Sequence, residues 1–175
     1  MTTNLDTNKS SVSFGTPTLK EWSRENTIEF WFKVNDKSAY KRQKENLLLF
    51  SMVSAGPSGG IDPQQYYQVY ISTDGELKCA PFGNQQFKDP ILTFTDFRLE
   101  NEDEYAWWHV SCSYKFGEQA KGTLFNTNIV QARSETMIGL PKFYPTNSLR
   151  ASFGRQAERN GLANFMVKEF RFWNK

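Results

Sequence analysis

At 175 residues, with 38% hydrophobic and 15% aromatic side chains, the chain has enough apolar material for one domain core and too little length for two ordinary domains. Its 21 basic and 19 acidic residues leave a net charge of +2, too weak a field to gather phosphate backbones, so no nucleic-acid partner is expected. No apolar run approaches the roughly 18 residues a membrane helix needs; the longest covers residues 47–50, and no membrane insertion is expected.

Residues 1–11 are rich in Thr, Ser and Asn. They read as a flexible N-terminal tail ahead of one domain over residues 12–175. The start lacks the basic and apolar regions of a signal peptide, so the expectation is a soluble chain, intracellular or excised from a longer protein. Without an export signal, the Asn8-Lys9-Ser10 sequon reads as chance.

Beyond the tail the hydrophobic period is two. Ile28, Phe30, Phe32 and Val34 alternate with Glu29, Trp31 and Lys33, which predicts a strand with one apolar face. The basic stretch 37–44 reads as a solvated loop. Residues 46–54 form a more continuously apolar strand. Tyr67, Val69 and Ile71 alternate with Gln68, Tyr70 and Ser72, and Asp74-Gly75 then supplies a hairpin turn into residues 77–80. The acidic segment 100–104 reads as a loop. In the strand over 107–116, Trp108, Val110, Cys112, Tyr114 and Phe116 share one face, while Trp107, His109, Ser111, Ser113 and Lys115 share the other. Residues 122–130 read as one further strand and 139–147 as irregular. Strands over 149–153 and 165–173 close the domain. No segment keeps the 3.6-residue period of an amphipathic helix.

Cys79 and Cys112 are the two cysteines. The two would pair if the domain were secreted, but one bridge is not a framework that a domain of this size needs, so two free thiols are the leading expectation.

Three segments in order resemble the laminin G-like and pentraxin-like branch of the concanavalin A-like lectin/glucanase superfamily. The first is Thr27-Ile28-Glu29-Phe30-Trp31-Phe32-Lys33. The second is Trp107-Trp108-His109-Val110 running to Tyr114, followed by Gly122-Thr123-Leu124-Phe125-Asn126. The third is Phe153-Gly154-Arg155 with the segment 165–174. The resemblance implies an all-β fold, an antiparallel β-sandwich in which two sheets pack as a jelly roll, and it leaves function open among sugar binders, protein-binding modules and glycoside hydrolases. The chain departs from pentraxins at Ser111, where they carry a cysteine, and Cys112 falls on the opposite face, so no pentraxin-type disulfide is carried over. At Asn126-Thr127-Asn128 the usual Asn-Gly turn is replaced, which implies a looser hairpin. No acidic cluster resembles the pentraxin calcium loops.

Catalytic chemistry finds little support. Glycan cleavage in this superfamily needs paired carboxylates on alternate strand positions, and neither Glu-x-Asp-x-Glu nor Glu-x-Asp-x-x-Glu occurs. Gly56-Pro57-Ser58-Gly59-Gly60 matches a nucleophile-elbow motif, with Asp103 and His109 following, but Ile61-Asp62-Pro63-Gln64 leads into a strand where that motif requires a helix. His109 is the sole histidine and the cysteines are isolated, so zinc and iron fail on ligand count. Oxygen ligands for calcium exist at Asp62, Asp74, Asp89, Asp96 and Asp103, though no spacing selects a set. No metal or cofactor is therefore expected, and the chain is expected not to be an enzyme.

Tryptophans on the non-core faces stand out. Trp31 shares its face with Glu29 and Lys33, Trp107 with His109, and Trp173 with Glu169 and Arg171. If the first and last strands are neighbours, as the resemblance implies, Glu29, Trp31, Lys33, Glu169, Arg171 and Trp173 form one aromatic and charged surface. It reads either as cross-strand packing with a Glu-Arg pair or as the contact surface of a non-catalytic module that binds a protein partner or anchors within a larger assembly. The alternative ligand is a glycan, presented to Tyr66, Tyr144 and Asn147 at a loop rim. His109 reads as a structural histidine.

Overall fold

A computed structural model describes residues 2–5, 12–15, 25–35, 46–55, 61–80, 92–95, 97–98, 106–115, 119–126, 130–136, 149–153 and 165–174. Among them there is no helix. The strands, in chain order, are β1 (Thr2–Leu5), β2 (Val12–Gly15), β3 (Glu25–Val34), β4 (Leu47–Ala55), β5 (Ile61–Ile71), β6 (Leu77–Ala80), β7 (Leu92–Phe94), β8 (Trp108–Lys115), β9 (Gln119–Phe125), β10 (Val130–Thr136), β11 (Leu149–Phe153) and β12 (Phe165–Asn174). They form two six-stranded sheets, one in the order β1-β12-β3-β8-β9-β10 and one in the order β2-β11-β4-β5-β6-β7. Every pairing is antiparallel. The protein is an antiparallel β-sandwich, as the family resemblance implies.

The two inner faces meet in one core. Ile28, Phe30, Phe32 and Val34 of β3 are buried, as are Trp108, Val110, Cys112 and Tyr114 of β8. Facing them from the other sheet are Leu49 and Phe50 of β4, Val69 and Ile71 of β5, and Leu77 and Cys79 of β6. Each such aliphatic or Phe side chain, fully buried, stabilises the fold by about 1.5–3 kcal/mol relative to exposure. Phe30, Phe50, Phe153 and Phe170 come from β3, β4, β11 and β12 and pack ring against ring. Phe30 meets Phe153 at 5.4 Å, and Phe50 meets both Phe153 and Phe170 at 5.2 Å. That cluster ties the two sheets together across their shared interior.

Of the three register shifts among the described residues, the one at Leu48/Phe50 and the one at Lys168/Arg171 adjust the alternation. On β4, Leu48 pairs with Tyr70 and Phe50 with Val69, so an extra residue sits between them and both Leu49 and Phe50 are buried. This accounts for the nearly continuous apolar run. On β12, Lys168 pairs with Trp31 and Arg171 with Glu29: three steps on one strand face two on the other. Glu169 takes the extra position with φ 56°, in the left-handed region that L side chains adopt at a cost. Before the bulge, Phe165 and Val167 point inward; after it, Phe170 and Phe172 pack against the core. The bulge thereby turns Arg171 and Trp173 outward.

The hairpin expected at Asp74-Gly75 joins β5 to β6. Gly75 donates its N–H to the Ser72 carbonyl at 2.8 Å, and Ser72 donates to the Glu76 carbonyl at 2.8 Å. Gly75 has φ 79°, a value that glycine adopts without steric cost and that closes a three-residue loop with matching strand twist.

Three expectations are corrected. Cys79 and Cys112 are not free thiols: they form a disulfide with Cα atoms 6.7 Å apart. Cys79 lies on the inner face of β6 and Cys112 on the inner face of β8, so the sandwich brings them opposite each other within bridging distance; counting how many bridges a domain needs does not detect this. Thr2–Leu5, within the expected tail, pairs with β12 from Thr2 opposite Lys168 to Leu5 opposite Phe165. Backbone hydrogen bonding at a sheet edge asks little of side-chain pattern, which is why a polar segment can supply it. The strand expected over 122–130 is two strands, β9 and β10, paired with each other from Phe125 opposite Val130 to Gln119 opposite Thr136. The short strands β2 and β7 also lay outside the sequence expectation. The acidic loop 100–104, the glycine-rich motif 56–60, the irregular interval 139–147 and Asn8 lie outside the described residues.

Candidate binding surface

Cross-strand register places the outward side chains of the first sheet in rows running across its strands. In one row Lys168 of β12 is opposite Trp31 of β3, Trp31 opposite His109 of β8, His109 opposite Phe125 of β9, and Phe125 opposite Val130 of β10. The rings in this row are packed together. Trp31 lies 5.1 Å from both His109 and Phe125, and His109 lies 4.7 Å from Phe125. The Lys168 ammonium sits over Trp107 at 4.3 Å and over Trp31 at 5.5 Å, an arrangement worth roughly 0.5–1 kcal/mol at a partly exposed site.

The next row holds Arg171, Glu29, Ser111, Thr123 and Ala132. Arg171 donates from Nη1 to Glu29 Oε1 at 3.2 Å, and its Nη2 lies 3.9 Å from Glu169 Oε2. The third row holds Trp173, Thr27, Ser113 and Lys121. In it the Thr27 and Ser113 hydroxyls are 2.7 Å apart and hydrogen-bonded. Trp173 is 51% exposed. Thr27, Ser111, Ser113 and Thr123 contribute short hydroxyl side chains to these two rows.

The six residues of the expected partner surface share this outward face but do not form one cluster. Glu29, Glu169 and Arg171 are brought together by the bulge. Trp31 and Trp173 are not: Trp173 is opposite Thr27, four residues from Trp31 along β3, or about 13 Å. Lys33 lies past Trp31, opposite Met166. Sequence reasoning missed Phe125 and Lys168 as parts of the surface. Their positions follow from register across β8–β9 and β3–β12, which side-chain alternation alone does not specify.

His109 lies beneath this face, 9% exposed. Burial lowers its pKa first; the charge of Glu29 raises it, that of Arg171 lowers it and that of Glu169 raises it, and the net shift is downward. Its Nδ1 has no hydrogen-bond partner among the described residues. A neutral imidazole packed between Trp31 and Phe125 is the form these surroundings favour.

A separate charged group lies at the β5–β6 hairpin. Glu76 pairs with Lys78 at 3.2 Å and with Arg98 at 2.8 Å. Burial pushes the Glu76 carboxyl upward, but hydrogen bonds and charge from Lys78 and Arg98 outweigh it and leave the pKa lowered.

Of the expected glycan rim, Tyr66 is in β5 with its backbone opposite Val53; Tyr144 and Asn147 lie outside the described residues. Among the described residues no group of three or more His, Cys, Asp or Glu could hold a metal ion, and no helix is long and apolar enough to cross a membrane.

No protein-family model matches the chain, and neither does any curated protein. Solved structures do match. The binding domain of botulinum neurotoxin serotype G aligns with 99% of this chain and 39% of its own, at TM-score 0.63 and 12% identity. The chain shares its fold with β-sandwich binding domains. The exoplasmic/lumenal domain of VIP36, bound to Ca2+ and Man3GlcNAc, aligns with 98% of this chain and 76% of its own, at TM-score 0.56 and 13% identity. The CBM40 of Ruminococcus gnavus IT-sialidase, bound to α2,6-sialyllactose, aligns with 95% of this chain and 90% of its own, at TM-score 0.53 and 12% identity. The chain thus spans 39% of the toxin-domain chain it matches. The agreement is at the level of the β-sandwich fold.

Proposed function

We propose that this chain is a non-catalytic binding module that docks a protein partner on the outward face of the β12–β3–β8 strands. The observation that carries the reading is Trp173, which is 51% exposed beside an Arg171 already held by Glu29. Tryptophan and arginine are the side chains that most often dominate protein interfaces, and an arginine fixed in advance loses less freedom on docking. Trp31 packs edge-on against Phe125 and His109, and Phe125 lies tilted against His109, so these rings add shape more than a free stacking plane. The likeness in fold to a neurotoxin binding domain and to two sugar-bound domains supports a binding role in general.

The test compares partner recovery from native material on the immobilised wild-type chain and on an Arg171→Ala/Trp173→Ala variant. Loss of a central pair is expected to weaken binding at least about tenfold, or 1.4 kcal/mol. Equal recovery by a variant shown to be folded removes this face from consideration.

A second reading is carbohydrate binding, favoured by the sugars bound to VIP36 and CBM40. It would use Trp173 as a stacking ring, or the rim of Tyr66, Tyr144 and Asn147. Sugar binding on a glycan array that is lost with Tyr144→Ala and kept with Trp173→Ala would move the site to that rim.

A further inference from the structure

We infer that this protein acquires its disulfide while it folds, in a compartment that supplies a disulfide oxidant, and that it therefore works on or beyond an export route. The inference is independent of what the outer face binds.

The bond joins the two sheets, from Cys79 of β6 to Cys112 of β8, across 33 residues of chain. Both cysteines are 0% exposed. Cys112 is opposite Ile28 on one neighbouring strand and Gly122 on the other, and Cys79 is opposite Val69 and Leu92. The surroundings are closed as well as apolar. A Cβ on Gly122 would lie 2.8 Å from Phe94 and 3.1 Å from Leu92, so the facing sheet already fills the space beside the bond.

Disulfide exchange needs a thiolate and a route for the attacking sulfur. The closed sandwich denies that route, because both cysteines are fully buried among apolar neighbours. The bond is therefore made before the sheets close. One Cys thiolate attacks a disulfide of the oxidant, small or protein-borne, to give a mixed disulfide and release one thiol. The second Cys thiolate then displaces the other thiol. The protein loses two electrons and two protons, and the oxidant's disulfide becomes two thiols. The glutathione and thioredoxin of a cytosol oppose this reaction; export compartments favour it. The same closure makes the bond a fixed strut and not a reversible switch. This replaces the sequence expectation of two free thiols.

Two measurements test the inference. Protein isolated from its native source is denatured in the presence of N-ethylmaleimide and weighed by mass spectrometry, with and without prior reduction. No label before reduction and two labels after it are expected; two labels without reduction would overturn the compartment. Separately, the oxidised, purified protein is exposed to dithiothreitol with and without denaturant. The bond is expected to persist at least tenfold longer in the folded chain. Equal rates of reduction would overturn the claim that it forms only before closure.

Discussion

Phe30 and Trp31 are adjacent on β3 and lie on opposite sides of the same sheet. Phe30 is 1% exposed and meets Phe153 at 5.4 Å across the sandwich, so its neighbours come from both sheets. Trp31 is half-buried and touches His109 and Phe125 within its own sheet. The inner ring fills space between the two sheets, whereas the outer ring packs within a single layer. One rule of alternation therefore yields a face on which the fold depends and a face free to evolve contacts.

The largest break in that comparison is expected on the inner side. Phe30→Ala should lower stability by about 3–5 kcal/mol, read by denaturant unfolding, because it leaves a cavity between the sheets. A loss under about 1 kcal/mol would mean that the sandwich does not close over this ring. Gly122→Ala should cost about 1–3 kcal/mol by overpacking, since the added methyl would meet the Phe94 ring at 2.8 Å. Phe94→Leu in the same chain should recover part of that loss.

How far these faces can be read from sequence differs along the chain. The β3 pattern is legible because Ile28, Phe30, Phe32 and Val34 keep strict alternation. In β12 the apolar positions switch from Phe165 and Val167 to Phe170 and Phe172, so a bulge between them is legible; that Glu169 takes the left-handed position is not, because glutamate has no preference for it. The burial of Cys112 follows from its place beside Val110 and Tyr114. Its pairing with Cys79 depends on how two sheets stack, and no local pattern encodes that. The row of Trp31, His109 and Phe125 similarly depends on register between strands. β1 and β2 are edge strands held by backbone pairing, and their short polar or mixed sequences carry no periodic signal. The expected glycan rim lies mostly on segments whose side chains are not described.

A smaller effect should appear on acidification, at the boundary between the faces. His109 has a folded pKa below the unfolded value near 6.5, so the unfolded chain binds the proton more readily. Its contribution to stability is complete above about pH 6.5 and falls as the pH drops through that value towards the folded pKa. Glu76, also lowered, loses its contribution only further down, as the pH falls from near 4.5 through its own folded pKa. Unfolding midpoints between pH 8 and 5 should therefore decline, and His109→Phe should flatten that decline. A midpoint that rises on acidification would contradict the buried neutral imidazole. Smaller still is Glu169→Gly, which relieves the positive φ while removing an exposed ion pair. A stabilisation of at most about 1 kcal/mol is expected by denaturant titration.

The most direct measurement places Phe30→Ala and Arg171→Ala/Trp173→Ala in the same urea titration, followed by near-ultraviolet circular dichroism. The outer-face variant is predicted to unfold within about 0.5 kcal/mol of the wild type, while Phe30→Ala shifts by several kcal/mol. An outer-face loss as large as the inner one would contradict the division of labour between the two faces, and would make Trp173 and Arg171 part of the fold instead of a surface open to a partner.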